Sequence, residues 1–228
     1  MRKFVLLFLG VLAILVSCKK DDPAQTTLRF MHYSANAPVI NYYIGNDLFI
    51  GNNSYPAPTP YQRTNAGTIT INARQQSNGA SLFNVEGTFN QDKFYSIVLF
   101  DSLSKLKVTA MEDDKTAPPS GKAYVRFLHL ATGEGAVDII KAGGPTKLFT
   151  NRSFNDHSGN STLTRYTAID PGPFSCAAIV AGSPNVLITQ LPSFAATAGK
   201  SYTLILRGFK DAPVGSDARV FLSPIEDN

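Results

Sequence analysis

The sequence predicts an all-β protein made of two similar modules, and three observations carry that expectation. Short runs rich in Val, Ile, Phe, Tyr and Thr recur along the chain, punctuated by Gly, Asn and Pro. No window holds a sustained apolar period of about 3.6 residues, the signature of an amphipathic helix. An early stretch also returns later: Leu28-Arg29-Phe30-Met31-His32-Tyr33 matches Val125-Arg126-Phe127-Leu128-His129-Leu130, 97 positions on.

The repeat extends through both copies. At the same offset Ile40-Asn41-Tyr42-Tyr43 matches Val137-Asp138-Ile139-Ile140. Gly67-Thr68-Ile69-Thr70-Ile71 parallels Gly172-Pro173-Phe174-Ser175-Cys176, and Lys93-Phe94-Tyr95-Ser96 parallels Lys200-Ser201-Tyr202-Thr203. The last offset is 107, so the second copy carries extra residues, expected at Gly143-Gly144-Pro145 and 155–161. Within the strands Ile69, Ile71 and Ala73 alternate with Thr68, Thr70 and Asn72, which gives one core face. In the run from Tyr202 to Leu206 the intervening Ile205 is also apolar, which predicts burial on both faces. Strands spaced this closely suit a sandwich or barrel.

The ends bound the organisation. Arg2 and Lys3 precede a 13-residue apolar stretch at 4–16, too short for the roughly 20 residues that cross a bilayer. Leu15-Val16-Ser17-Cys18 then resembles the bacterial lipobox. That resemblance implies cleavage after Ser17 and acylation of Cys18, with two or more chains giving a stable membrane anchor. Lys20-Asp21-Asp22 resembles the surface-export signal of Bacteroidetes lipoproteins, which implies an outer-membrane protein facing outward, with the periplasmic face as the alternative. The expected division is a signal peptide at 1–17, a lipidated tether at 18–26, a first module at 27–114, a Pro-rich linker at 115–122 and a second module at 123–228.

Composition excludes several functions. Removing the signal lowers the formal charge from +4 to about +2, and no Lys/Arg cluster exceeds Lys19-Lys20, so no nucleic-acid footprint exists. With Cys18 lipidated, Cys176 has no intrachain partner and reads as a buried thiol in an apolar strand.

Both copies resemble the DUF4397 family of bacterial extracytoplasmic modules. The family's opening Arg-Phe-x-His strand is Arg29-Phe30-Met31-His32 and Arg126-Phe127-Leu128-His129. Its Val-Asp-Val-Tyr-like strand is Val39-Ile40-Asn41-Tyr42-Tyr43 and Ala136-Val137-Asp138-Ile139-Ile140. Its closing strand is Gly199-Lys200-Ser201-Tyr202-Thr203-Leu204, with Asp92 in place of the glycine in the first copy. The resemblance implies immunoglobulin-like antiparallel β-sandwiches and transfers no functional residues.

Candidate chemistry is sparse. His32 and His129 share a face with core residues and read as strand-end histidines bonding the next turn. His157 lies in an Asn/Gly/Ser loop and reads as solvated. Arg29 and Arg126 point to the opposite face, where Asn41 or Asp138 is the expected partner. Asp113-Asp114 and Glu226-Asp227 read as solvated acidic pairs, with calcium at the domain junction as the other reading. No Gly-x-Ser-x-Gly and no phosphate-cradling glycine loop occurs, so no catalytic residue, cofactor or metal ligand is assigned.

The candidate ligand surface is the Pro-rich segment 52–61. Tyr55 and Tyr61 flank its three prolines and Tyr42 and Tyr43 precede it, an arrangement suited to stacking on sugars. The other reading is a crossover loop whose tyrosines fold back onto the sandwich. Asp101-Ser102-Leu103 resembles the Bacteroidetes O-glycosylation motif, which makes Ser102 a candidate acceptor. The functional expectation is a non-enzymatic envelope lipoprotein that binds a glycan or protein outside the cell. The alternative is an accessory subunit of an outer-membrane complex, and a hydrolase is the remote third.

Overall fold

A computed structural model describes residues 22–142, 146–183 and 186–227. The signal segment, Cys18 and the insertion expected at Gly143-Gly144-Pro145 lie outside the described residues.

The first half contributes nine strands: β1 (Gln25–Tyr33), β2 (Ile40–Ile44), β3 (Asp47–Asn53), β4 (Ala57–Pro58), β5 (Gln62–Asn65), β6 (Gly67–Gln75), β7 (Ser81–Phe89), β8 (Phe94–Phe100) and β9 (Lys107–Glu112). The second contributes eight: β10 (Ala123–His129), β11 (Val137–Lys141), β12 (Lys147–Arg152), β13 (Thr167–Ile169), β14 (Gly172–Val180), β15 (Leu187–Ala196), β16 (Ser201–Arg207) and β17 (Phe221–Glu226). β1 opens at Gln25, inside the segment expected as tether, and Thr26 is already buried.

Each half folds as two facing sheets, and the strand order repeats between halves. The outer sheets run β3-β2-β6-β7 and β12-β11-β14-β15. The inner sheets run β4-β1-β8-β9, with β5 also on β1, and β13-β10-β16-β17. The all-β sandwich expectation holds. One pairing in each half departs from the antiparallel expectation: β1 runs parallel to β8 and β10 parallel to β16. The reason is topological. The chain leaves the inner sheet after β1, returns to one side of β1 at β4 and β5 between the two outer hairpins, and re-enters on its other side at β8 in the same direction as β1.

Alternation along these strands builds three apolar clusters. Leu28, Phe30, Ile97 and Leu99 face Ile40, Tyr42, Ile69 and Ile71 in the first sandwich. Val125, Phe127, Leu204 and Leu206 face Val137, Ile139, Phe174 and Cys176 in the second. The third cluster lies between the halves. Met31, Tyr33, Val98 and Phe100 pack against Leu128, Leu130 and Ile205. The layers therefore stack outer–inner–inner–outer, and the inner sheets are covered on both sides. This explains the unbroken buried runs of β8 and β16.

Each large side chain of the middle cluster contributes roughly 1.5–3 kcal/mol by burial, and both halves share it. Leu128→Ala should therefore cost about 2–5 kcal/mol and lower the melting of both halves together. Calorimetry is the check; a separate, unshifted transition for the first half would contradict the shared core.

Candidate functional site

Where the two inner sheets meet, the apolar layer is interrupted by charge. Arg29 on β1 and Arg126 on β10 point into the junction from opposite sides. Their registers place Ser96 beside Arg29 and Thr203 beside Arg126. Arg29 Nε donates to Ser96 Oγ at 2.7 Å, and Arg126 Nε to Thr203 Oγ1 at 2.8 Å. The outer nitrogens cross over. Arg29 Nη2 donates to Asp227 at 2.5 Å and Arg126 Nη2 to Asp113 at 2.6 Å. Ser96 then donates to Asp113 and Thr203 to Asp227, which closes a ring of four charges and two hydroxyls.

Tyrosines finish the ring. Tyr61 donates to Asp113 and Tyr166 to Asp227, each at 2.9 Å. Each tyrosine ring also lies under an arginine, Arg29 over Tyr61 at 4.7 Å and Arg126 over Tyr166 at 4.8 Å. Lys115, in the segment joining the halves, sits 4.3 Å over Tyr61 and donates to the Asp227 carbonyl. Burial alone would raise the Asp113 carboxyl, but Arg126 and Arg29 hold it below the usual carboxylate range. For Arg126 the two aspartates outweigh burial and keep it charged. The charges cancel two against two, which suits a water-poor layer.

This ring corrects two expectations. Arg29 and Arg126 do not pair with Asn41 or Asp138, because β2 and β11 belong to the outer sheets. Asn41 and Asp138 instead accept from the backbone amides of Asn52 and Asn151, whose φ angles are positive. Asp113 and Asp227 are not solvated; they are 4% and 2% exposed and fully engaged. A repeat signal marks them, since Met111-Glu112-Asp113 and Ile225-Glu226-Asp227 end the two copies alike. Tyr61 and Tyr166 also stand six positions before the matching Gly67 and Gly172.

The expected ligand tyrosines do not form a shared platform. Tyr42 is a core residue, 1% exposed and stacked on Phe30 at 3.9 Å, and is removed from the candidates. Tyr43 carries the Arg74 guanidinium on its ring. Tyr61 belongs to the ring just described. Tyr55 accepts from Arg207 and donates to the Asp217 carbonyl, so it ties the Pro-rich segment to the second half. That segment includes β4, paired to β1, rather than a free loop. Ser102 sits half-buried before a 3-10 turn at Leu103–Lys105, beside a buried Asp101 that binds Lys107 and Thr132.

The histidines divide. His32 and His129 bond the carbonyls of Pro38 and Gly135 through Nε2, as expected of strand-end residues. His157 corrects the solvated expectation: it is 4% exposed, neither ring nitrogen has a partner, and Phe100 of the other half lies 5.9 Å away. Burial lowers its pKa to about 4, with Asp156, Arg152, Arg126 and His129 as the charged or titratable neighbours. Cys176 is buried and its thiol is pushed up to about 12. Among the described residues no group of three or more His, Cys, Asp and Glu could hold a metal ion. No helix among them is long and apolar enough to cross a membrane.

A cleft of about 420 Å³ is lined by Glu112 and Asp114 from the first half and Ser161, Thr164 and Arg165 from the second. Fold and site together define a two-sandwich protein with an internal charged junction. The family model described as a domain of unknown function, DUF4397, matches residues 26–140, and the chain belongs to that family. The match begins at β1 and runs through the first two strands of the second half. No curated protein compared with the chain matches it. Among solved structures, CBMbc (family CBM26) from Eubacterium rectale Amy13K, in complex with maltoheptaose, is 16% identical, with 90% of this chain and 97% of that chain covered and a TM-score of 0.24.

Two predictions test the junction. Arg126→Met should cost about 3–5 kcal/mol, because it removes the nearer of Asp113's two guanidinium partners and leaves the buried ring with one uncompensated negative charge; chemical denaturation reads it directly. Acid should act through the three buried histidines, whose pKa values burial lowers, with His157 shifted far down, to about 4. For His157 the folded pKa lies below the unfolded value of about 6.5, so stability is full above that pH and falls as pH drops toward 4. The loss is on the order of 3 kcal/mol. His157→Phe should flatten the fall of melting temperature between pH 6.5 and 4.5, and an unchanged slope would exclude His157 as its source.

Proposed function

We propose that the chain is a non-catalytic binding lipoprotein of the cell envelope, built from two DUF4397 units and held to the outer membrane by lipid on Cys18, with its sandwiches outside the cell. The observation that carries the binding reading is the cleft at the joining segment. Both halves supply its walls, and the ring behind it fixes their spacing. Its carboxylates, hydroxyls and guanidinium match the donors and acceptors of a glycan, and its volume falls in the range of ordinary ligand sites. The strongest acids and bases of the junction are locked against one another, which favours recognition over turnover.

The test is a glycan array probed with the soluble chain lacking residues 1–18. Binding should weaken at least about tenfold in Arg165→Ala and in Glu112→Gln. No bound glycan, or binding indifferent to both substitutions, would remove the reading. Mass spectrometry of native protein should show Cys18 as the acylated first residue, and Cys18→Ala should release the chain from membranes.

A further inference from the structure

One end of the molecule carries a continuous polar band. β1 and β8 start there side by side, and the Asp92 amide donates to the Gln25 carbonyl at 2.8 Å. The charged ring brings the starts of β10 and β16 and the ends of β9 and β17 to the same end. Three clefts cross this surface and share walls. The first, about 420 Å³, is lined by Asp22, Pro23, Arg63, Gln91, Asp92 and Phe94 among others. Asp92 and Phe94 also line the second, about 360 Å³, together with Lys93 and Lys115. Glu112 and Asp114 then serve both the second cleft and the joining cleft, where Arg165 stands. The band thus leads from Asp22 to the joining cleft.

The reach from this end to the anchor is short. Four residue steps separate Asp22 from Cys18. A fully extended chain spans at most about 3.6 Å per residue, so four steps reach roughly 14 Å. A lipid on Cys18 would hold this end against the headgroup layer. The other end would point outward, about 30 Å away along the nine residues of β1. The chemistry of the two ends differs accordingly. Val39, Leu103, Val186 and Val214 are exposed in the loops that follow β1, β8, β14 and β16, at the far end. The band carries charge instead. Lys93 pairs with Glu112 at 2.7 Å, while the exposed Arg63 and Arg165 have no carboxylate partner among the described residues.

We propose that the joining cleft and this band recognise a membrane-borne ligand: the phosphorylated saccharide headgroup of a lipid in the membrane that holds the chain. The inference rests on the anchor and glycan readings above and narrows them. The sugar takes the carboxylates and hydroxyls of the joining cleft. The phosphate takes the unpaired guanidiniums, whose planar fork matches phosphate oxygens. The short tether keeps cleft and headgroup in one thin layer, so binding is intramolecular in effect and gains strength without a further contact. A free polymer would have to enter between protein and membrane to reach the same groups.

Two measurements test the proposal. The chain contains no tryptophan, so a single introduced one reports alone. The chain starting at Cys18 is coupled through that thiol to a maleimide lipid in vesicles; Cys176 is buried and does not compete. Lipids with a nitroxide on the headgroup should quench Thr116→Trp, or Gln91→Trp should the first fail to fold, and spare Val214→Trp. Equal quenching at both ends, or quenching of Val214→Trp alone, would overturn the proposal. In the second measurement the uncoupled chain lacking residues 1–18 is sedimented with phosphatidylethanolamine vesicles that contain lipooligosaccharide. Saturable binding is expected, weakened at least about tenfold by Arg165→Ala and by Arg63→Ala, and lost on vesicles without the saccharide. Equal binding to bare vesicles would overturn the proposal. So would glycan binding on the array with none to these vesicles, a result that leaves the glycan reading intact. No binding in either form removes the glycan reading and this inference with it. A native Cys18 without acyl groups does the same for the anchor reading, and that failure is read from the mass spectrum alone.

Discussion

The exchanged arginine–aspartate ring is the constraint around which the two sandwiches are arranged. Arg29 finds its short contact on Asp227 and Arg126 on Asp113, while the contacts within each half are longer, 4.0 and 3.8 Å. Each half thus holds the other's counter-ion. Burying four charges is costly, and a layer of leucines could cohere at least as well. The ring offers direction: hydrogen bonds of fixed geometry allow one docking of two flat sheets, where apolar faces alone would allow many. The flanking cluster of Met31, Val98, Leu128 and Ile205 supplies the cohesion.

Much of the fold was legible in the sequence. Alternation at Ile69, Ile71 and Ala73 gave their core face, and all three are buried in the first sandwich. The apolar Ile205 between Leu204 and Leu206 marked a strand covered on both sides, and it packs between the halves. The parallel β1–β8 pair was not legible, because pairing between strands far apart in sequence leaves no local trace. The ring was half legible: a charged face on β1 and β10 was foreseen, but its partners were assigned to the next strand in sequence rather than the next in space. His157 misled for a related reason, since a loop rich in Asn, Gly and Ser reads as solvated until a second domain covers it.

Repetition also makes each half a control for the other. The family's strand-end histidine has one task in both halves, bonding a turn carbonyl. Asn41 and Asp138 share another, holding the amide of a left-handed residue. Such shared tasks account for the motif in structural terms. The halves differ at Gly87 against Phe194, and in the longer second-half segment that brings Ser161, Thr164 and Arg165 to the joining cleft.

The parallel pairing of β1 with β8 has a kinetic side. Arg29 and Ser96 are 67 residues apart, so the first strand cannot take its neighbour until nearly the whole first half has been made. Contacts of such long reach slow folding. The outer hairpins and the antiparallel pairing of β1 with β4 and β5 can form early; the parallel side of β1 must wait for β8. One side of β1 is thus among the last parts of the first half to set, and until β8 arrives its backbone groups on that side stay open to other partners.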